Sequence, residues 1–138
     1  MELTWQEAKA RTQALELEIV NSIPKERVAK GDQKATGVLL DCSDTLVNWN
    51  GATIVTLTAG TDLERVVRAL EAKYQGNRFN IKTRDPAPSG DYEVQLRSPD
   101  TAEIYFIGAG WDPDRILITS SSECFTWVES CKYKRGKF

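Results

Sequence analysis

Cys42, Cys124 and Cys131 are the residues of this 138-residue chain with the most chemistry to offer, and there is no histidine anywhere to assist them. That absence removes the commonest general base, the commonest zinc ligand and every Ser-His or Cys-His nucleophile. No two cysteines have the two-residue gap of a zinc knuckle or a thioredoxin-type pair. In "TGVLLDCSDTLVNWNG" (36–51), Cys42 lies close to Asp41 and Asp44, and Glu123 precedes Cys124. Negative neighbours oppose formation of the thiolate that a nucleophile or a metal ligand requires. No cofactor and no metal are indicated, and the residues point away from catalysis.

A covalent staple fits the pattern better. Cys42 closes an early apolar run and Cys124 closes the last one, so both fall at strand ends, and neighbouring strand ends can meet within disulfide range. A Cys42–Cys124 bond would close a loop of about eighty residues and restrict the unfolded chain by roughly 4–5 kcal/mol in the entropy model. The alternative is a pair of buried thiols packed as small hydrophobes. Cys131 is left over, either free or competing with Cys42 for Cys124.

Other polar groupings have simpler readings. Asp41, Ser43, Asp44, Asn48 and Asn50 are oxygen donors of the kind calcium uses, but they lack the ligand spacing and closing Glu of an EF-hand loop, and turn chemistry accounts for them. "FIGAGWDPD" (106–114) contains G-x-G without a third glycine or a following helix, which fails as a nucleotide fingerprint. Asp112 and Asp114 could pair for acid–base work, and a hydrolase would use loop carboxylates such as Asp44 or Asp112, but Asp-Pro-Asp is ordinary turn chemistry and that reading carries more weight. Trp49 in "NWNG" and Trp111 in "GWDP" fall in predicted turns. If both lie at one end of the sheet they form a binding rim, since exposed aromatics at loop tips anchor ligands; otherwise each ring caps the core. The ending from about 129, with Lys132, Lys134, Arg135 and Lys137 among aromatics, reads as a solvated basic tail.

The elements that must position these residues are legible from periodicity. Thr4 and Glu7 form a capping box, and Trp5, Ala8, Thr12, Leu15, Ile19 and Ile23 make one helical stripe, with Glu16 and Glu18 among the residues assigned to the other faces. Pro24 ends that helix. Residues 28–35 read as a polar connection, "TGVLLDCS" and "GATIVTLTA" as strands, and "DTLVNWNG" as the loop between them. Thr61 and Glu64 suggest a second capping box, opening a helix that stops at Gly76. Four strands follow: "RFNIKTR", "DYEVQLRS", "EIYFIGA" and "DRILITSS". The order α-β-β-α-β-β-β-β predicts a single α+β domain over 1–138: a two-layer sandwich, mainly antiparallel, with two amphipathic helices on one face.

The totals narrow the function further. Such a length buries its own core, and hydrophobic content of 41% with 28% charged residues is globular. A net charge of −2 makes no electrostatic case for nucleic acid. No apolar run spans a membrane, and "MELTWQEAKA" is not a signal peptide. Two settings fit: a cytosolic protein, or a mature domain whose export signal has been replaced by Met1.

The succession "TWQEAKARTQALE", "TGVLLDCS", "NWNGATIVTL", "DYEVQLRSPDT" and "SSECFT" resembles the mature domains of small actinobacterial surface lipoproteins, from Trp5 to Phe125. Cys131 and the basic ending depart from that pattern. The resemblance implies a non-catalytic domain at the cell surface, held to the membrane only through a lipid anchor and binding an unknown protein or cell-wall ligand. Without it, a cytosolic inhibitor or immunity-type protein, acting by occluding another protein's surface, is the alternative.

Overall fold

The computed structural model describes residues 3–76, 78–84, 92–127 and 137–138. The first helix, α1 (Trp5–Asn21), starts at the expected capping box: the Glu7 amide donates to Thr4 Oγ1 and the Thr4 amide to Glu7 Oε1, each at 3.1 Å. It ends two residues short of Ile23, as Pro24 requires. A 3-10 turn (Lys25–Arg27) leads into β1 (Val28–Gln33), then β2 (Val38–Asp41) and β3 (Leu46–Leu57). Helix α2 (Leu63–Tyr74) precedes β4 (Asn80–Arg84), β5 (Glu93–Arg97), β6 (Ile104–Ala109), β7 (Arg115–Ser121) and β8 (Phe125–Thr126).

The fold is α+β, two helices against an eight-stranded antiparallel open sheet in the order β1-β3-β7-β6-β5-β4, with β2 and β8 also on β3. Two strands exceed the sequence expectation, β1 and β8. The polar stretch containing β1 has no apolar alternation because it is an edge, half in solvent. β8 is only two residues long. The capping box expected at Thr61 is also displaced. Asp62 is the N-cap, its carboxylate accepting from the Arg65 amide, while the Thr61 hydroxyl meets that of Thr58 at 2.9 Å. Gly76 closes α2 with φ of +70°, the left-handed conformation that glycine adopts without a Cβ penalty.

β3 organises the molecule. Its first half is not the loop read from "DTLVNWNG"; the hairpin is only Cys42–Thr45, closed by Cys42 and Ser43 amides donating to the Leu46 carbonyl. Along one edge of β3, β2 pairs with 47–50 and β1 with 53–57, as one strand interrupted at 34–37. Along the other edge, β7 pairs with 50–56 and β8 with 46–47.

Alternation along the strands then sends odd-numbered residues of β3 under the helices and even-numbered residues to the other face. The main core gathers Leu15 and Ile19 of α1 and Val67, Leu70 and Tyr74 of α2 with Val55, Val94, Leu96, Tyr105, Ile107, Ile116 and Ile118 of the strands. A smaller core beneath the start of α1 holds Ala8, Leu39, Val47, Trp49 and Phe125, with Trp5, Trp127 and Phe138 packed around them.

Between the two cores runs a buried polar layer. Glu16, assigned above to a solvent-facing side, is fully buried. It lies one helical turn beyond Thr12 and therefore shares Thr12's inward face. Its carboxylate accepts from Ser120 Oγ at 2.7 Å and Gln33 Nε2 at 3.1 Å, with the Thr53 hydroxyl beside it. Burial holds the Glu16 carboxyl above the ordinary glutamate range, and these hydrogen bonds offset only part of the effect.

Candidate binding face

The disulfide forms between the two cysteines expected. Cys42 and Cys124 are bonded, with Cα atoms 6.4 Å apart. Cys42 follows β2, whose Asp41 pairs with Val47; Cys124 precedes β8, whose Phe125 pairs with the same Val47 from the other side. The bond thus ties together the two short strands that flank the start of β3, next to the smaller core. Cys131 lies outside the described residues, as do Lys132, Lys134 and Arg135. At the end of the chain Phe138 does not extend into solvent: its amide and carbonyl pair with Gly37, and its ring meets Trp5 and Trp127 edge-on.

The two-tryptophan rim does not form. Trp49 is a strand residue with 0% exposure, its indole Nε1–H donating to the Phe138 carbonyl at 3.1 Å. Two glycines make room for it: a Cβ on Gly51 would stand 2.2 Å from the ring and one on Gly37 2.8 Å from it. Trp111, in the β6–β7 turn, is 92% exposed. The two residues also lie toward opposite ends of β7, because the Trp49 carbonyl accepts from Ser122 while Trp111 adjoins Arg115.

The carboxylate candidates resolve into structure as well. Asp112 pairs with Arg115 at 3.1 Å and the Asp114 carbonyl receives the Leu57 amide, so both shape the turn that carries Trp111. Asn48 and Asn50 project from β3, where Asn50 Nδ2 donates to Asn48 Oδ1 and Ser121 Oγ donates to Asn50 Oδ1. Among the described residues no group of three or more Asp, Glu, Cys or His is placed to hold a metal ion.

What the fold leaves available is the sheet face opposite the helices. Register places its side chains in three rows across the strands. Ile54, Leu117 and Gly108 form the first, Ala52, Thr119, Phe106 and Gln95 the second, and Asn50, Ser121, Ile104 and Arg97 the third. Trp111 stands at the head of the first row, over Ile54 and Leu117. A shallow cleft of about 400 Å³ opens over the second and third rows, bounded by Lys34, Thr36 and Val38 at the break between β1 and β2.

Part of the charge around this face is internally compensated. Lys34 pairs with Asp32 at 2.7 Å, Arg84 with Glu93 at 3.7 Å and Arg115 with Asp112. Lys82 and Arg97 on β4 and β5, and Lys30 on β1 opposite Thr56, have no such pair among the described residues. The face was missed because each of its apolar residues, taken singly, reads as an ordinary off-core strand position. The available signal was the recurrence of Ile54, Phe106 and Leu117 on the side that alternation assigns to solvent.

No family model, no curated protein and no solved structure matches this chain. Among the described residues no helix is long and apolar enough to cross a membrane.

Proposed function

We propose that this chain is a non-catalytic binding domain of the cell envelope, working in an oxidising extracytoplasmic space, with the helix-free sheet face as its binding surface. The observation that carries the reading is Trp111: a large aromatic side chain left 92% exposed above an apolar row that no described residue covers. Exposed aromatics backed by apolar side chains are the usual anchors of interfaces. The disulfide supports the compartment, since such bonds persist in oxidising environments and are rare in the cytosol. The resemblance to small actinobacterial surface lipoproteins supports attachment through a lipid anchor upstream of the domain.

The test is co-sedimentation of the oxidised domain with washed envelope fragments. Saturable retention, lost in Trp111→Ala and Leu117→Lys while both variants keep the wild-type melting temperature, is the expected result. Equal retention of both variants would remove the sheet face from the function. Retention by a cytosolic protein fraction and not by envelopes would favour the inhibitor-type alternative.

A further inference from the structure

We propose a second site in this chain, where the two helices meet, that takes a small amphiphilic monocarboxylate: an apolar group of roughly eight carbons ending in one carboxylate. A cavity of about 200 Å³ opens there between the end of α1, the 3-10 turn and the start of α2. The site is independent of the sheet face, whose side chains do not line it.

Its floor is made from the core. Pro24 ends α1 and turns the chain away, so the outer sides of Ile23, Val66 and Leu70 are left facing the cavity next to Pro24 and Ala69. All three are buried members of the main core. An apolar cavity of about 150 Å³ takes a benzene ring, so this one has room for a ring or chain of roughly eight carbons.

Its rim is basic. Arg27 lines it from the 3-10 turn and Arg65 from the first turn of α2, and neither guanidinium has a hydrogen bond or ion pair among the described residues. Arg68, one position beyond the cavity's Val66 and Val67, is by contrast held by Glu64 at 3.0 Å. The one carboxylate lining the cavity is Asp62, which caps α2 by accepting from the Arg65 amide. Glu26 does not line it. Two guanidinium groups against one carboxylate leave a single positive charge over an apolar floor. That suits a monoanion, whose planar carboxylate matches the guanidinium fork; a dianionic phosphate would exceed the charge beside Asp62.

The rim is also set before any ligand arrives. The Thr58 amide donates to the Arg27 carbonyl at 2.9 Å, the Thr58 hydroxyl to the Glu26 carbonyl at 3.0 Å and the Thr61 amide to the Thr58 carbonyl at 3.1 Å. The turn carrying Arg27 is thereby bonded to the segment that opens α2 and carries Arg65, which lowers the ordering cost of binding. The walls are helix ends and turns without a free strand edge, so they hold no partner for an extended peptide backbone. A free small molecule fits them better than a peptide terminus.

The experiment titrates the oxidised full chain, labelled with nitrogen-15, with octanoate below its micellar concentration, and in parallel with acetate, 1-octanol and octyl phosphate. Expected are saturable amide shifts gathered on Ile23, Gly60, Thr61 and Leu70, and an affinity for octanoate about tenfold or more above that for acetate and for octanol. Arg27→Gln and Arg65→Gln should each weaken octanoate by about fivefold or more. Lys25→Gln removes a charge from the same 3-10 turn without touching the cavity, and should change affinity less than about twofold. Ala69→Phe, which fills the cavity, should abolish binding. All four positions are exposed, so the variants should keep the wild-type melting temperature. Equal binding of octanol and octanoate would overturn the anion site, and tighter binding of octyl phosphate would overturn the carboxylate. Shifts that gather around Trp111, that survive both arginine substitutions, or that never saturate would overturn the site altogether.

Discussion

The Trp49 indole lies directly over Gly51, two residues along the same strand, so closely that a Cβ at Gly51 would fall 2.2 Å from Cη2. The pairing explains why a tryptophan that reads as a turn residue is buried: β3 has a gap in its inward side chains at 51, and the ring fills it. Gly51→Ala should therefore act by overpacking, at a cost of about 1–3 kcal/mol. Urea unfolding would show a lower midpoint with an unchanged slope. In the background of Trp49→Leu, which empties the space, Gly51→Ala should cost much less, and the double-mutant cycle would register that coupling.

The disulfide crosses a sequence separation of 82 residues but is anchored beside the smaller core. Its removal by Cys42→Ser with Cys124→Ser should cost about 2–5 kcal/mol of global stability. The loss should be uneven. Amide exchange in β2 and β8, each held to β3 alone, should accelerate well before exchange in β6 and β7, which lie inside the sheet. Uniform acceleration across both cores would show that the two clusters unfold as one unit.

Much of the fold was legible because apolar periodicity is a direct record of which side a residue faces. The α1 stripe, the α2 stripe and strands β4 to β7 all follow it, and Cys42 ends an early strand as expected, whereas Cys124 lies between β7 and the unexpected last strand β8. Its failures have physical causes. β1 is a polar edge strand whose partners, Thr53 to Leu57, are remote along the chain, so no local pattern announces it. Glu16 was assigned to solvent by its charge, although its spacing from Thr12 put it on the buried face; the partners that make burial tolerable, Gln33 and Ser120, come from distant strands. The binding face was invisible for a similar reason: its rows are made by register between β3, β6 and β7, which spacing along one strand does not encode.

Glu16 should give stability a distinct pH dependence. Its folded-state carboxyl titrates above the ordinary value of 4.5 because burial penalises the charge. Below that value both states are protonated and the group is neutral to stability. As pH rises through 4.5 the unfolded chain loses its proton first, so the folded state is progressively disfavoured until the raised folded value is passed. Glu16→Gln keeps an acceptor for Gln33 and supplies a donor toward Ser120 without the charge. The variant should match wild type in acid and exceed it at neutral pH, as read from urea unfolding at a series of pH values. Glu18 works in the opposite sense. Burial pushes its carboxyl up, but hydrogen bonds from Tyr74 and Arg78 hold it below the usual range, so its stabilisation is lost as pH falls. A Glu16→Gln curve parallel to wild type at every pH would show that the carboxyl titrates alike in the folded and the unfolded chain.

Trp111 separates recognition from folding. Its ring is 92% exposed and belongs to neither core cluster, so Trp111→Ala should change unfolding free energy by no more than about 0.5 kcal/mol. The other three tryptophans are shielded to differing degrees: Trp49 is buried, while Trp5 and Trp127 are half-buried around Phe138. Iodide quenching of the native protein should accordingly fall sharply in Trp111→Ala, and the residual emission should be blue-shifted toward that of shielded indoles. The same variant provides the spectroscopic baseline for ligand titration, because any remaining response would come from rings remote from the sheet face. Quenching that is unchanged by the substitution would mean that the ring is covered in solution, and the aromatic platform at the head of the first row would be lost with it.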